Sequence, residues 1–137
     1  MEAYARSIAR FERCIEVAPE TRSNSDVYVA LALAGQARLK LEAGALDESL
    51  KLLLASFDRE PGTAGTQDGL WLSGVATART LKARLLEAGD AARAAEVDAA
   101  LQALPPEELE RPEWDREIPG GEAGRRGLRG GGRRPPR

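Results

Sequence analysis

Apolar residues return every three or four positions along most of this chain, the spacing that places side chains on one face of an α-helix. Tyr4, Ile8, Phe11 and Ile15 make the first such stripe, predicting a helix over about Glu2–Val17 that Pro19 ends. The polar run from Thr21 to Asp26 reads as a turn in which Ser25 or Asp26 caps the next helix. That second helix is expected over about Val27–Ala43. Val27, Leu31, Ala34, Ala37 and Leu41 lie on one side of it, and Val29, Leu33 and Leu39 widen the apolar surface, so it should meet neighbours on two sides. A third helix follows, with Asp47 as its cap, Leu46, Leu50, Leu53, Leu54 and Phe57 as its buried face, and Pro61 closing it. From Pro61 to Gly69 nothing apolar is larger than alanine, which predicts a solvent-exposed loop. The fourth helix is expected over about Leu70–Ala88, with Trp71, Val75, Leu81, Leu85 and Leu86 as contacts. The fifth, Ala91–Leu104, presents Ala94, Val97, Leu101 and Leu104 before Pro105-Pro106 stops it.

Two of the turns share one plan. Gly44 and Gly89 each follow Glu-Ala at a helix end, precede an acidic residue and a new helix, and lie 45 positions apart. Glycine accepts the left-handed conformation of a helix C-terminus without steric cost. The repeat predicts an all-α fold of stacked antiparallel helical hairpins, about five helices in all. A stack is needed because a buried leucine contributes only about 1.5–3 kcal/mol against about 1–2 kcal/mol of backbone entropy per ordered residue. A single hairpin loses that comparison, whereas internal helices of a stack bury surface against several neighbours.

Composition agrees with helix: 42% of the 137 residues are apolar, but aromatics are only 4%. The length suits one modest domain, and the net charge of −2 gives no general electrostatic argument for DNA or membrane binding. The sequence has no histidine, which excludes serine–histidine and cysteine–histidine nucleophile pairs and histidine-ligated metal sites. Cys14 has no second cysteine to bond with and reads as a packing thiol. The first residues hold no apolar run of signal-peptide length, and no stretch approaches the roughly 20 apolar residues that span a bilayer. A soluble, cytoplasmic protein is expected. Asp47/Glu48 and Glu107/Glu108 stand at helix starts, where they favour the helix dipole rather than acid–base chemistry. Gly62 and Gly65 have neither the lysine nor the strand of a phosphate loop.

Around the third helix stand Gly44, Leu46, Asp47, Glu48, Ser49, Leu50, Leu53, Ser56, Phe57 and Pro61. Around the first stand Tyr4, Ser7, Ile8, Phe11, Cys14, Ile15 and Pro19, and around the fifth Gly89, Asp90, Ala94, Leu101 and Pro106. In this order of glycine turn, small residues, spaced large apolar residues and closing proline the chain resembles the second helix of a tetratricopeptide repeat. Pro19, Pro61 and Pro106 are spaced by 42 and 45 residues, so the resemblance is to a longer-repeat variant and covers about residues 3–106.

The resemblance implies a non-catalytic protein–protein interaction module, an adaptor or scaffold, with no cofactor and no metal. It places a peptide-binding groove along the first helices of the repeats, on Leu31, Ala34, Arg38 and Leu41 of the second helix and Ala76, Arg79, Ala83 and Leu86 of the fourth. Arg38 and Arg79 would offer forked donors to a carboxylate of an acidic peptide, with Leu41 and Leu86 beside them. The partner would be another protein or peptide. The first helix lacks its own hairpin mate, so its edge with Tyr4 and Phe11 should be incompletely covered, available to a second copy of the chain or to a missing upstream helix. Two other readings stay open: a terminal or regulatory fragment of a larger bacterial signalling protein, or a small homo-oligomeric helical subunit.

Beyond Pro106 the character changes. Residues 107–137 begin with Glu107, Glu108, Glu110, Glu113, Asp115 and Glu117, and every charge from Ala123 onward is an arginine. Glycine and proline fill the gaps, which predicts a disordered tail. A single Arg-Gly-Gly triplet without aromatics does not predict RNA binding. Trp114 and Ile118 leave open whether the acidic segment folds back onto the last helix or meets the basic block.

Overall fold

The computed structural model describes residues 1–66 and 72–111, and these form six α-helices and no strand. In chain order they are α1 (Glu2–Val17), α2 (Arg22–Glu42), α3 (Leu46–Arg59), α4 (Gly74–Glu87), α5 (Ala91–Gln102) and α6 (Pro106–Glu110), with 3-10 turns at Pro19–Thr21 and Pro61–Thr63.

Side chains fix how the helices run. The hydroxyl of Ser56 donates to the Ala30 carbonyl at 2.7 Å and that of Ser49 to the Ala37 carbonyl at 2.8 Å. Seven residues forward along α2 therefore match seven backward along α3, which makes the pair antiparallel. The α1–α2 pair obeys the same rule. Phe11 stacks on Tyr28 with ring centroids 4.7 Å apart, and the Tyr4 ring lies over Gly35, where a Cβ would stand 2.3 Å from a ring carbon. Lys82 of α4 donates to Asp98 of α5 at 2.6 Å. Across the hairpins, Ala34 of α2 faces Gly74 at the start of α4, and Gly74 also lies close against Phe57 of α3. The chain is thus a stack of antiparallel hairpins in which α2 touches α1, α3 and α4.

The two glycine turns are alike in detail. Gly44 and Gly89 have φ of 79° and 77°. At the first, the Gly44 N–H donates to the Leu41 carbonyl and that of Ala45 to Lys40; at the second, Gly89 donates to Leu86 and Asp90 to Leu85. These paired bonds satisfy helix-end carbonyls and reverse the chain. Asp90 then caps α5 by accepting from the Arg93 N–H at 3.0 Å.

One apolar core joins α2 to α5 through Leu41, Leu50, Leu53, Phe57, Val75, Leu81, Leu85, Val97 and Leu101. Among the described residues, α1 adds Ile15 as its one fully buried side chain, while Tyr4, Ile8 and Phe11 are half-buried. Its outer edge is incompletely covered. Arg59 ties three helices at one end, its Nε donating to Asp26 at 2.6 Å and its Nη1 to Glu12 at 2.8 Å. Those bonds, to Glu12 first, hold the guanidinium's pKa above its ordinary value.

Five sequence expectations are corrected. Residues 22–26 are the first turn of α2 rather than a polar turn, because Ser25 is buried and Asp26 is held by Arg59. Asp47 does not cap α3, whose N-cap is Ala45; it pairs with Arg93 of α5. The loop after Pro61 is not all exposed, since Ala64 and Gly65 are buried. Helix α4 starts at Gly74, capped by the Ser73 hydroxyl accepting from the Ala76 N–H, not near Leu70. Residues 106–110 form α6 with Pro106 in its first turn, so the helical part extends past Pro106. Leu70 and Trp71, and the tail from residue 112 with Trp114, lie outside the described residues.

Gly35→Ala should destabilise the chain by about 1–3 kcal/mol through overpacking against Tyr4. Combined with Tyr4→Ala it should become neutral or stabilising, because alanine is the better helix former by about 1 kcal/mol. Urea unfolding of the two single variants and the double variant measures both effects.

Candidate functional site

Helices α2 and α4 lie side by side and run in the same direction, since Ala34 faces Gly74 at one end and Arg38 and Leu41 face the later turns of α4. Between them opens a cleft of about 320 Å³. Arg38, Leu41 and Glu42 line it from α2, and Leu72, Ala76, Thr77, Thr80 and Arg84 from the other wall. The volume is at the lower end of ordinary ligand sites and suits a few side chains of a peptide.

Arg38 is the residue that gives the cleft its chemistry. It is only 7% exposed, and its Nη1 donates to Glu42 Oε1 at 2.8 Å, one helical turn on. Arg84 stands exposed on the opposite wall. Among the described residues Arg38, Arg84 and Glu42 are the charged groups that line the cleft, while Leu41, Leu72 and Ala76 supply an apolar side. The Thr77 hydroxyl donates back to the Ser73 carbonyl and that of Thr80 to the Ala76 carbonyl, both at 3.1 Å. Their lone pairs remain as acceptors. The arrangement can hold an acidic or amphipathic segment by charge-assisted hydrogen bonds and apolar contact. Among the described residues no group of three His, Cys, Asp or Glu side chains could hold a metal ion.

Some of the residues expected to line a groove come together in this cleft. Arg38, Leu41 and Ala76 meet in the cleft. Arg79 does not: its Nη2 donates to the Leu109 carbonyl of α6 at 3.1 Å, on another flank of α4. Leu86 is 52% exposed and Ala83 exposed, neither lining the cleft. Leu31 and Ala34 are half-buried between helices. The register on α4 is therefore Thr77, Thr80 and Arg84, a polar stripe at three- and four-residue steps that is visible in the sequence. Sequence reasoning passed over it in favour of Arg79.

Helix α6 explains where Arg79 is drawn. The Glu108 carboxylate, in a residue 3% exposed, accepts from the Gly65 N–H at 2.7 Å and from Arg111 Nη2 at 2.9 Å. Arg111 Nη1 also donates to Thr66 Oγ1 at 2.8 Å. A Cβ at Gly65 would stand 2.4 Å from the Glu108 carbonyl oxygen, so the close fit needs glycine. A helix of five residues has no stability of its own. These bonds hold it against Gly65 and Thr66 and the flank of α4 at Arg79. The paired carboxylates suggested by sequence are likewise structural: Glu48 pairs with Lys40, whose hydrogen bond holds its pKa below the ordinary carboxylate value, and Glu108 is the latch. Cys14 is half-buried on α1.

With this geometry in hand, comparison of the chain with family models, with curated proteins and with solved structures finds no match. The described residues form a stacked-hairpin all-α fold with a cleft lined by Arg38, Glu42 and Arg84 between parallel helices. No helix of the described residues is long and apolar enough to cross a membrane.

Glu108→Ala should cost about 1–3 kcal/mol by leaving the Gly65 N–H without its acceptor, and Glu108→Gln, which keeps one, should cost less. Amide exchange at Gly65 should accelerate in the alanine variant.

Proposed function

We propose that this chain is a non-catalytic protein-interaction module of tetratricopeptide type that binds an acidic segment of another protein between α2 and α4, in the cytoplasm. The observation that carries the reading is the cleft itself: a buried, Glu42-anchored Arg38 facing Arg84 across an apolar wall. A guanidinium whose position is already fixed loses little entropy on binding a carboxylate, so it gives affinity at low cost. The resemblance of the first, third and fifth helices to the second helix of a tetratricopeptide repeat supports the same role. In this reading Arg84, which lines the cleft, rather than Arg79, which bonds to Leu109, meets the ligand.

The direct test is fluorescence anisotropy with a panel of labelled acidic peptides and the whole chain. Arg84→Gln should weaken binding about tenfold, equivalent to about 1.4 kcal/mol. Arg79→Gln should leave binding unchanged. Equal affinities for the native chain and Arg84→Gln would remove the cleft from the account.

A second reading, self-association through α1, is favoured by the half-buried Tyr4, Ile8 and Phe11 beside Tyr28 and Val17, which are 45% and 68% exposed. Light scattering of the whole chain should then give a dimer mass that falls to a monomer with Phe11→Ser. A monomer at all concentrations rejects this second reading.

A further inference from the structure

We infer that α6 is a movable latch whose docking sets the α4 wall of the cleft, so that seating of α6 and occupation of the cleft favour one another. The consequence for ligands rests on the peptide-binding reading of the cleft, whereas the coupling of α6 to the wall does not.

The link is a single peptide group. The first N–H groups of a helix have no partner within it. At the start of α4 the Ala76 N–H donates to the Ser73 hydroxyl and the Thr77 N–H to the Ser73 carbonyl, whereas the Val75 N–H donates to the Ala64 carbonyl at 2.9 Å. On the other side of the same peptide bond, the Gly65 N–H donates to Glu108 Oε2 at 2.7 Å. A peptide group is planar and rigid, so its carbonyl and its N–H cannot turn independently. Held by Glu108 at one end, the Ala64–Gly65 unit presents its oxygen to Val75 at the other, and each bond polarises the next. Gly74 packs on the same carbonyl, since a Cβ there would stand 3.3 Å from the Ala64 oxygen. Leu72, Ala76 and Thr77, which line the cleft, flank this start of α4.

Helix α6 bears on the wall a second time. Arg79 Nη2 donates to the Leu109 carbonyl, and the next residue, Thr80, lines the cleft. Held at Val75 by way of Gly65 and at Arg79 directly, the first turns of α4 follow α6. The short helix is itself a two-state element. Five residues are too few to persist alone, and of them only Glu108 is buried, bonded to Gly65 and Arg111. Undocking leaves the Gly65 N–H without its acceptor and the Ala64 carbonyl free to turn away from Val75. A ligand that fits the wall in its docked form then opposes undocking by the same factor by which undocking weakens the ligand.

Hydrogen exchange of the whole chain tests the coupling. The Gly65 and Val75 amides should exchange through one opening, with similar protection factors at least tenfold below that of Leu53, which opens with the whole chain. Glu108→Ala should lower both by one factor, about fivefold or more, and Glu108→Gln, which keeps an acceptor, should lower them less. Gly65→Ala, whose Cβ would stand 2.4 Å from the Glu108 carbonyl oxygen, should expose Val75 in the same way without altering the acid. A Val75 amide as protected as Leu53 in the native chain, or one that keeps its protection when that of Gly65 falls, overturns the latch. The tightest-binding acidic peptide of the labelled panel, at about a hundred times its Kd, should slow the Gly65 amide at least tenfold, because the opening must first shed the peptide. Unchanged Gly65 exchange under saturation overturns the link between α6 and the cleft. Arg84-dependent peptide binding with Val75 as protected as Leu53 sinks the latch and leaves the interaction module standing. Matched Gly65 and Val75 exchange with no acidic peptide bound keeps the latch on the wall and removes the module.

Discussion

The close approach of α2 to its neighbours is the constraint on which the other features rest. Toward α3 it presents Ala30 and Ala37, whose carbonyls accept from the buried Ser56 and Ser49 hydroxyls. Toward α1 it presents Gly35, covered by the Tyr4 ring. Small residues on both faces let backbones come near enough for dense packing, and the serines satisfy their own hydroxyl protons while doing so. With α2 set this way, Phe57 of α3 reaches Gly74 and sets the start of α4. The cleft is the space left on the remaining face of α2, between its last two turns and α4.

Ionic ties mark the ends of the stack without carrying its stability. Arg59 joins α1, α2 and α3 at one end, and at the other Lys40–Glu48 joins α2 to α3 and Asp47–Arg93 joins α3 to α5. Partly exposed pairs of this kind contribute about 0–1 kcal/mol each. Their value is in register: each links residues whose spacing would change if a helix slid by one turn. The apolar core from Leu41 to Leu101 supplies most of the driving force.

Much of this architecture could be read from local chemistry. Gly44 and Gly89 announced their turns because a left-handed residue has a strong compositional signature. The stripes of α1, α3 and α5 followed from spacing alone. What escaped reading depended on distant partners. Ser23, Asn24, Ser25 and Asp26 look like a turn until Asp26 meets Arg59, 33 residues away. Glu108 looks like the start of an acidic tail until it meets Gly65, 43 residues away. The groove was half legible for the same reason. Arg38 and Leu41 were placed in it by the resemblance, but Arg79 is diverted by a carbonyl of α6, a helix too short to show in a pattern. Arg84 lines the cleft instead.

A graded rigidity follows from the packing. Helix α2, enclosed by three neighbours, forms a fixed wall for the cleft, whereas α1 packs mainly on α2, with Arg59 of α3 tying its Glu12, and α6 is held by a handful of polar bonds. A rigid wall holds Arg38 in one orientation, while the ends of the stack are freer to open. Native-state hydrogen exchange measures this most directly. Amides from Val29 to Leu41 and from Leu50 to Phe57 should exchange only through global unfolding, with α1 and α6 opening at lower free energy. Exchange in α2 as fast as in α1 would contradict the central role given to its close packing.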